Sequence, residues 1–183
     1  MHGQDTVRSL SHRFVRSWKG RSALFIAVIG GLLLTSCAST GRPGTGDLSF
    51  RITWTGRADV DLYVESPLRE PVNYVQNRAA SGGWLDIDCN VHGVSMCGTP
   101  MENVFWPRGR APKGTYRFWV QLSNPEGLTP DDRYTLEVRR GERVVWSTQG
   151  QVVDLPAHVP NFEVEFPSFT VQPIEPERSY QTN

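Results

Sequence analysis

The chain has 183 residues, of which 19 are basic, 19 are acidic and 38% are hydrophobic, so its formal net charge at pH 7 is zero. This length and composition exclude a collagenous, coiled-coil or multi-pass membrane protein. The neutrality is an average over two unlike parts: the first 36 residues carry five basic residues and one acid, which leaves 14 basic and 18 acidic residues and a net charge of −4 in the remainder. Because phosphate binding requires a concentrated basic face, the remainder is not expected to bind nucleic acid.

The N-terminal segment has the pattern of an export signal. A basic stretch precedes an uncharged run of 12 residues, Ala23 to Leu34. At ~1.5 Å per helical residue this run spans about 18 Å, which is shorter than the ~30 Å hydrocarbon core of a bilayer. Residues 1–36 are therefore predicted to be a cleaved signal peptide and not a membrane anchor.

The end of this segment, Leu34-Thr35-Ser36-Cys37, resembles the lipobox of bacterial lipoproteins. The resemblance implies that the thiol of Cys37 receives lipid and that Cys37 becomes the mature N-terminus. It also implies a cell-envelope protein, delivered to the outer membrane because no Asp follows Cys37. The alternative is an ordinary signal peptide followed by a chance cysteine. Residues 37–46 are small and glycine-rich beyond the cysteine, and we expect them to form a flexible tether.

From residue 47 onward, apolar and polar residues alternate, which is typical of strands with one buried face. No window of 11 or more residues in this part has a convincing helical period, and the chain's 17 Gly and 13 Pro interrupt it at short intervals. The sequence predicts an all-β fold, an antiparallel Ig-like or jelly-roll β-sandwich of seven to nine strands over residues 47–166. We expect the tail, residues 167–183, to be disordered or loosely packed.

Cys89 and Cys97 are the cysteines that remain once Cys37 is modified. An exported protein enters an oxidising compartment, so the pair is predicted to form a disulfide. The loop closes nine residues, for which chain entropy assigns a stabilisation of about 2.5 kcal/mol. The alternative is a metal site formed with His92.

Acidic and amide residues cluster in two parts of the chain. Asp59 and Asp61 are two residues apart, as are Asp86 and Asp88, so each pair is expected to project from one strand face. Clustered carboxylates repel one another unless a cation intervenes, and hard oxygen ligands suit Ca²⁺. The candidate calcium ligands are Asp59, Asp61, Asp86, Asp88, Asn90, Glu102 and Asn103. The alternative is that these side chains lie on solvated strand faces.

Motifs for catalysis are scarce. The sequence contains no H-E-x-x-H, P-loop or dinucleotide fingerprint, and Ser95 lacks the glycine that a nucleophile elbow needs. The enzyme alternative is a small envelope hydrolase that acts through paired carboxylates such as Asp59 and Asp86. Trp84, in an expected loop, and Trp119, out of phase with the buried face, are candidate contacts for a sugar or a protein. The alternative for both is packing against the sheet.

Three blocks carry a recognisable pattern: TWTG with ADVDLYV in 53–64, SGG with LDID in 81–88, and ENV with WP and APKGTY in 102–116. In this order they resemble the YfaP-like family of bacterial proteins, a domain of unknown function. The first block is also similar to pre-peptidase C-terminal β-sandwich domains, some of which bind Ca²⁺. The resemblance implies an Ig-like or jelly-roll sandwich in an envelope protein and no established reaction. Cys89 and Cys97 interrupt the second block's Asp- and Asn-rich continuation, so a covalent bridge is the alternative to a cation there.

These patterns predict a noncatalytic, lipid-anchored β-sandwich that binds a protein or glycan partner at the cell envelope. Its first predicted partner is the membrane, through lipid on Cys37, and the only cofactor considered is Ca²⁺. Besides the hydrolase, the remaining alternative is an accessory domain of a secreted protease or secretion system.

Overall fold

The fold is a β-sandwich. A computed structural model describes residues 41–91, 96–155 and 162–174, so the predicted signal peptide and Cys37 lie outside the described residues. Within these ranges, ten strands form two antiparallel five-stranded sheets that pack together. The all-β sandwich prediction is confirmed, with ten strands in place of seven to nine.

The strands are β1 (Leu48–Trp54), β2 (Asp59–Glu65), β3 (Pro71–Val72), β4 (Trp84–Ile87), β5 (Met101–Trp106), β6 (Gly114–Asn124), β7 (Arg133–Arg140), β8 (Arg143–Gln151), β9 (Phe162–Phe166) and β10 (Thr170–Pro173). A short 3-10 helix, Val152–Asp154, follows β8. The first sheet has the order β4-β5-β1-β7-β8, and the second has the order β10-β9-β6-β2-β3. Each strand is therefore hydrogen-bonded to neighbouring strands of its own sheet.

The alternating residues supply the core between the sheets. Phe50 on β1 has no exposed surface, and neither have Phe118 on β6 and Trp106 on β5. The ring centroid of Phe50 lies 4.9 Å from that of Phe118 and 6.3 Å from that of Trp106. Burying a large apolar side chain stabilises the fold by roughly 1.5–3 kcal/mol. The alternation that predicted the strands is therefore also what holds the two sheets together.

The predicted disordered tail is partly a strand. Residues Thr170–Pro173 form β10, which pairs with β9, and residues 175–183 lie outside the described residues. Phe169 in the connecting turn packs its ring 5.5 Å from that of Phe166, and Val171 also packs against the core. The tail prediction is wrong at these residues because two apolar side chains in a proline-containing segment are enough to dock a short edge strand.

The described part of the predicted tether is also attached to the sandwich. The Gly44 backbone N–H donates to Asp86 Oδ2 over 2.6 Å, and the Gly44 carbonyl accepts from Asn103 Nδ2 over 3.1 Å. A Cβ on Gly46 would lie 1.8 Å from the carbonyl oxygen of Trp106. Glycine is therefore required here for close approach to β5, and the tether prediction is wrong from residue 44 onward.

Gly46→Ala should lower the free energy of unfolding by about 2 kcal/mol, because the added methyl group must displace β5 backbone in a packed site. Gly41→Ala is the matched control, since a Cβ at Gly41 meets no atom within 4 Å. Urea denaturation followed by tryptophan fluorescence measures both. Equal stability of the two variants would show that residue 46 does not approach β5 this closely.

Candidate functional site

A cavity of about 410 Å³ opens beside β2 on the outer face of the second sheet. It is lined by Asp59, Asp61, Tyr74, Asp88, Val91, Gln121 and Ser123. Val60 and Leu62 alternate with Asp59 and Asp61 along β2 and are buried in the core. Asp59 and Asp61 therefore point to the outer face of the sheet. Yet Asp59 and Asp61 are only 7% and 6% exposed. They form the wall of a cavity and do not lie on a solvated strand face.

A β-bulge shapes this wall. The register between β2 and β6 shifts after Asp59, which pairs with Asn124, so that Ser123 has no opposite residue on β2. The Ser123 hydroxyl donates a hydrogen bond to Asp61 Oδ2. Bulges are often found where a strand must re-aim a side chain near a functional site. The bulge thus brings a polar side chain of β6 onto the Asp61 carboxylate.

Glu102 connects the two sheets behind the cavity. It lies on β5 in the first sheet and has no exposed surface. Its Oε2 accepts a hydrogen bond of 2.6 Å from the backbone N–H of Leu62, on β2 in the second sheet. On that edge the described residues pair β2 with β3 only at Val64 and Glu65, and none of them forms a strand beside Leu62. The carboxyl group of Glu102 accepts the Leu62 hydrogen bond that a neighbouring strand would otherwise accept.

Glu102 and Asp88 form a coupled acid pair. Burial raises the pKa of Glu102 well above its ordinary value of 4.5, and the charges of Asp88 and Asp61 raise this pKa further. Burial also raises the pKa of Asp88, while its hydrogen bond with Glu102 acts in the opposite direction. The hydrogen bond between the two carboxyl groups thus raises the pKa of Glu102 and lowers that of Asp88, so of the two acids Glu102 holds its proton more strongly. This acid pair lies at the cavity wall, with Asp88 as the member that lines the cavity.

Glu102→Gln should flatten the dependence of stability on pH. A carboxyl whose pKa is raised in the folded state stabilises most at low pH, and this contribution is lost as pH rises from about 4.5 through the folded-state pKa. Glutamine keeps an oxygen for the Leu62 amide and an N–H for Asp88 but does not titrate. Urea denaturation at several pH values from about 4 to 8 should show a smaller loss of stability in the variant.

Glu142 is exposed in the β7–β8 turn, so Glu142→Gln is the control for this experiment. The stability of this variant should depend on pH as that of the wild type does. Parallel stability curves for wild type and Glu102→Gln would contradict a protonated Glu102.

Asp86 and Asp88 do not share a face, contrary to the sequence prediction. The β4–β5 pairing shifts register between Leu85 and Ile87, at Asp86. Asp86 Oδ1 accepts from Asn103 Nδ2 over 2.7 Å, whereas Asp88 is hydrogen-bonded to Glu102. Because the bulge breaks the two-residue alternation of the strand, Asp86 and Asp88 point in different directions and contact different residues.

Asn90 fastens the loop that bounds the cavity. It is 1% exposed, its Nδ2 donates to the Ala58 carbonyl over 3.2 Å, and its Oδ1 accepts from the Cys97 backbone N–H over 3.1 Å. Cys89 and Cys97 are joined in a disulfide with their Cα atoms 5.8 Å apart, which confirms the predicted pairing. Covalent and hydrogen-bonded contacts thus hold Cys89, Asn90 and Cys97 together, and Val91, which follows Asn90, lines the cavity.

The predicted calcium ligands do not converge on one ion. Three of them line the cavity, Glu102 lies behind it, and Asp86 and Asn103 bind each other elsewhere. Asn90 uses its amide group on protein backbone. Within the ranges that the structure describes, no three His, Cys, Asp or Glu side chains are placed to hold a metal ion. The donor set therefore does not fit the predicted calcium site.

The predicted hydrolase pair is likewise divided between two sites. Asp59 lies on β2 in the second sheet and lines the cavity, and Asp86 lies on β4 in the first sheet. Both oxygens of Asp86 accept hydrogen bonds, one from Asn103 and one from the Gly44 amide. The structure does not bring these two carboxylates to one reaction centre.

The two candidate tryptophans have different surroundings. Trp119 on β6 stacks on Tyr63 of β2, with ring centroids 5.1 Å apart and planes 7° from parallel. Tyr63 in turn contacts Tyr74, at 6.2 Å, on the cavity rim. Trp84 instead lies under the guanidinium of Arg78, 4.0 Å from its ring centroid. Sequence reasoning missed Tyr63, although its spacing from Asp61 places both on one face, and Tyr74 has no sequence signal.

Two other cavities contain arginine side chains. One, of about 290 Å³, is lined in part by Arg117, which forms ion pairs with Glu163 at 3.2 Å and with Glu65 at 3.6 Å. The other, of about 220 Å³, includes Arg57 and shares Asp59 with the acidic cavity. The acidic cavity differs from both because none of the described residues that line it is basic.

No family model, curated protein or solved structure matches this chain. In the described part of the chain, no helix combines the length and the apolar character needed to cross a bilayer. Function has to be inferred from the chemistry of the cavity and from the N-terminal sequence.

Proposed function

We propose that this protein is a noncatalytic, lipid-anchored binding module of the bacterial cell envelope, and that its ligand enters the acidic cavity beside β2. The cavity supports this proposal most directly. Its volume of about 410 Å³ lies in the range of ligand sites, and its lining combines carboxylates, an amide and an aromatic ring. Tyr74 at the rim is 54% exposed, so an incoming ligand has direct access to its ring.

The anchor and the cavity use different parts of the domain. Gly44 attaches the chain to the first sheet through Asp86 and Asn103, and the Gly46 carbonyl accepts a hydrogen bond from the Gly141 N–H in the β7–β8 turn. The cavity opens on the outer face of the second sheet. A ligand can therefore bind without displacing the segment that leads to the lipidated cysteine.

A binding role is favoured over hydrolysis by the surroundings of the acids. Asp86, the predicted partner of Asp59, is held by two protein hydrogen bonds outside the cavity. Glu102, whose raised pKa would suit an acid catalyst, is fully buried and holds the Leu62 amide. Its position suits a group that supports the cavity wall.

Cys37→Ser should move the protein from the membrane fraction to the soluble fraction, because the hydroxyl does not accept the diacylglyceryl group. Fractionation and intact-mass measurement of the mature protein test this expectation. The double variant Cys89→Ala with Cys97→Ala is the control and should stay with the membrane. A Cys37→Ser protein with unchanged mass and membrane association would contradict lipidation at this residue.

Photocrosslinking in cells tests ligand entry at the cavity. Replacement of Tyr74 by p-benzoylphenylalanine keeps an aromatic ring at the rim and should give a discrete adduct, protein or glycan, on irradiation. The adduct should disappear when Asp61→Asn and Asp88→Asn are added. The same photoreactive residue at Val153, which is 51% exposed in the 3-10 helix, is the matched control.

An absent adduct at position 74, or the same adduct at both positions, would contradict a ligand site at the cavity. Release of cleaved glycan or peptide by the purified wild type, lost in Asp88→Asn, would contradict the noncatalytic assignment.

A further inference from the structure

We infer that one end of the sandwich is a membrane-docking surface, which binds the anionic headgroups of the bilayer that holds the lipid anchor. We call this surface the anchor end and define it by residues 41–47, 107–113 and 140–143. The inference rests on the lipid anchor of the proposed function. It goes further because it assigns the domain an orientation on the membrane.

Strand register places the three segments of the anchor end side by side. Leu48, the first residue of β1, pairs with Trp106, the last residue of β5. On the other side of β1, Ser49 pairs with Arg139 near the end of β7. The loop after β5 and the turn after β7 therefore lie at the end of the sandwich where β1 begins.

Residues 46 and 47 contact both neighbouring segments. The Gly141 N–H of the β7–β8 turn donates a hydrogen bond to the Gly46 carbonyl over 2.9 Å. The Gly109 N–H of the β5–β6 loop donates a hydrogen bond to the Asp47 carboxylate. The start of the domain, this loop and this turn therefore form one continuous surface.

The anchor end is basic, although the predicted mature chain is acidic. Its three segments contain six basic and two acidic residues. All six basic side chains are exposed, and no salt bridge among the described residues involves Arg42, Arg108, Arg110, Lys113, Arg140 or Arg143. The neighbouring connections 66–70 and 167–169 add one basic and one acidic residue. Strand register thus concentrates positive charge that is dispersed along the sequence.

The far end of the sandwich has the opposite charge. Its described connections contain one basic residue, Arg57, and five acidic residues; they are 55–58, 88–91, 96–100, 125–132 and 152–155. Basic residues close to a bilayer are attracted by anionic headgroups, and acidic residues are repelled. The charge distribution therefore favours one orientation, with the anchor end on the membrane.

The length of chain before the sandwich brings this surface to the bilayer. Gly44, which is bound to Asp86 and Asn103, follows Cys37 by seven residues. A fully extended chain spans at most ~3.6 Å per residue, so a lipidated Cys37 lies within about 25 Å of this attachment. Such a short link gives the headgroups a high effective concentration at the anchor end. A soluble acidic polymer has no such advantage, which favours the bilayer as the partner.

Docking by the anchor end directs the acidic cavity away from the lipid. Asp59, the first residue of β2, pairs with Asn124 at the end of β6. The start of β6 lies at the anchor end, directly after residues 107–113, so Asp59 is at the far end. Asp88 and Val91, which also line the cavity, belong to a far-end connection. A ligand therefore reaches the cavity from the side opposite the membrane.

Energy transfer in reconstituted vesicles tests this orientation. The mature protein, with lipidation confirmed by mass, is placed in vesicles of equal parts phosphatidylglycerol and phosphatidylethanolamine, or of phosphatidylcholine alone. A fluorophore is attached through Ser168→Cys beside the anchor end or Thr129→Cys at the far end, both at exposed positions. The acceptor is a headgroup-labelled lipid. We expect stronger transfer from position 168 in the anionic vesicles, and a smaller difference in phosphatidylcholine or at high salt.

Arg108→Gln with Lys113→Gln should lower the ratio of docked to undocked protein about thirtyfold, roughly fivefold for each charge removed near the surface. Arg57→Gln with Arg133→Gln is the matched control. It removes the same charge from exposed positions at the far end and should leave the ratio unchanged. The headgroup and salt dependence of the wild type tests the same surface if the first variant fails to fold.

Equal transfer from positions 168 and 129 in anionic vesicles would overturn this inference, as would an equal difference in phosphatidylcholine or an equal loss in the control variant. Binding of heparin by protein that shows no headgroup dependence would assign the basic surface to an acidic polysaccharide instead. A lipidated protein with no preferred orientation would overturn the docking surface and leave the proposed function standing. A mature protein without lipid on Cys37 would overturn the anchor and the docking surface together.

Discussion

The hydrogen bond between the Leu62 amide and Glu102 joins the two sheets at the point where the cavity forms. An uncompensated charge buried between the sheets would cost several kcal/mol, and burial accordingly raises the pKa of Glu102 well above its ordinary value. Glu102 is also hydrogen-bonded to Asp88 at the cavity wall, and this bond raises the pKa of Glu102 and lowers that of Asp88. One buried acid therefore binds the edge of β2 and also interacts with the acid that lines the cavity.

The loop from Cys89 to Cys97 depends on the same region of the fold. The disulfide joins Cys89 to Cys97, and the Asn90 amide binds the Cys97 N–H and the Ala58 carbonyl just before β2. The loop in turn places Val91 at the cavity. A covalent bridge and buried amide contacts thus connect Cys89, Asn90 and Cys97 to the sandwich.

Some residues have a structural role in this fold that differs from the one their residue type and spacing predict. Glycines 44 and 46 suggest a flexible linker, but backbone packing against β5 leaves no room for a side chain. Asp86 and Asp88 suggest a joint ligand pair, but a bulge sends one to Asn103 and the other to Glu102. In both cases a contact with a strand distant in sequence overrides the local pattern.

The sequence by itself determined the all-β architecture, the main strands and the Cys89–Cys97 pairing, because alternation and a short cysteine spacing are local properties. It also placed Asp59 and Asp61 on one strand face. Only the tertiary structure decided which acids meet, because Glu102 and Leu62 are 40 residues apart and are brought together by the packing of two sheets. The bulges, the Tyr74 loop and the cavity depend on that packing and on strand register, which alternation within one strand does not specify.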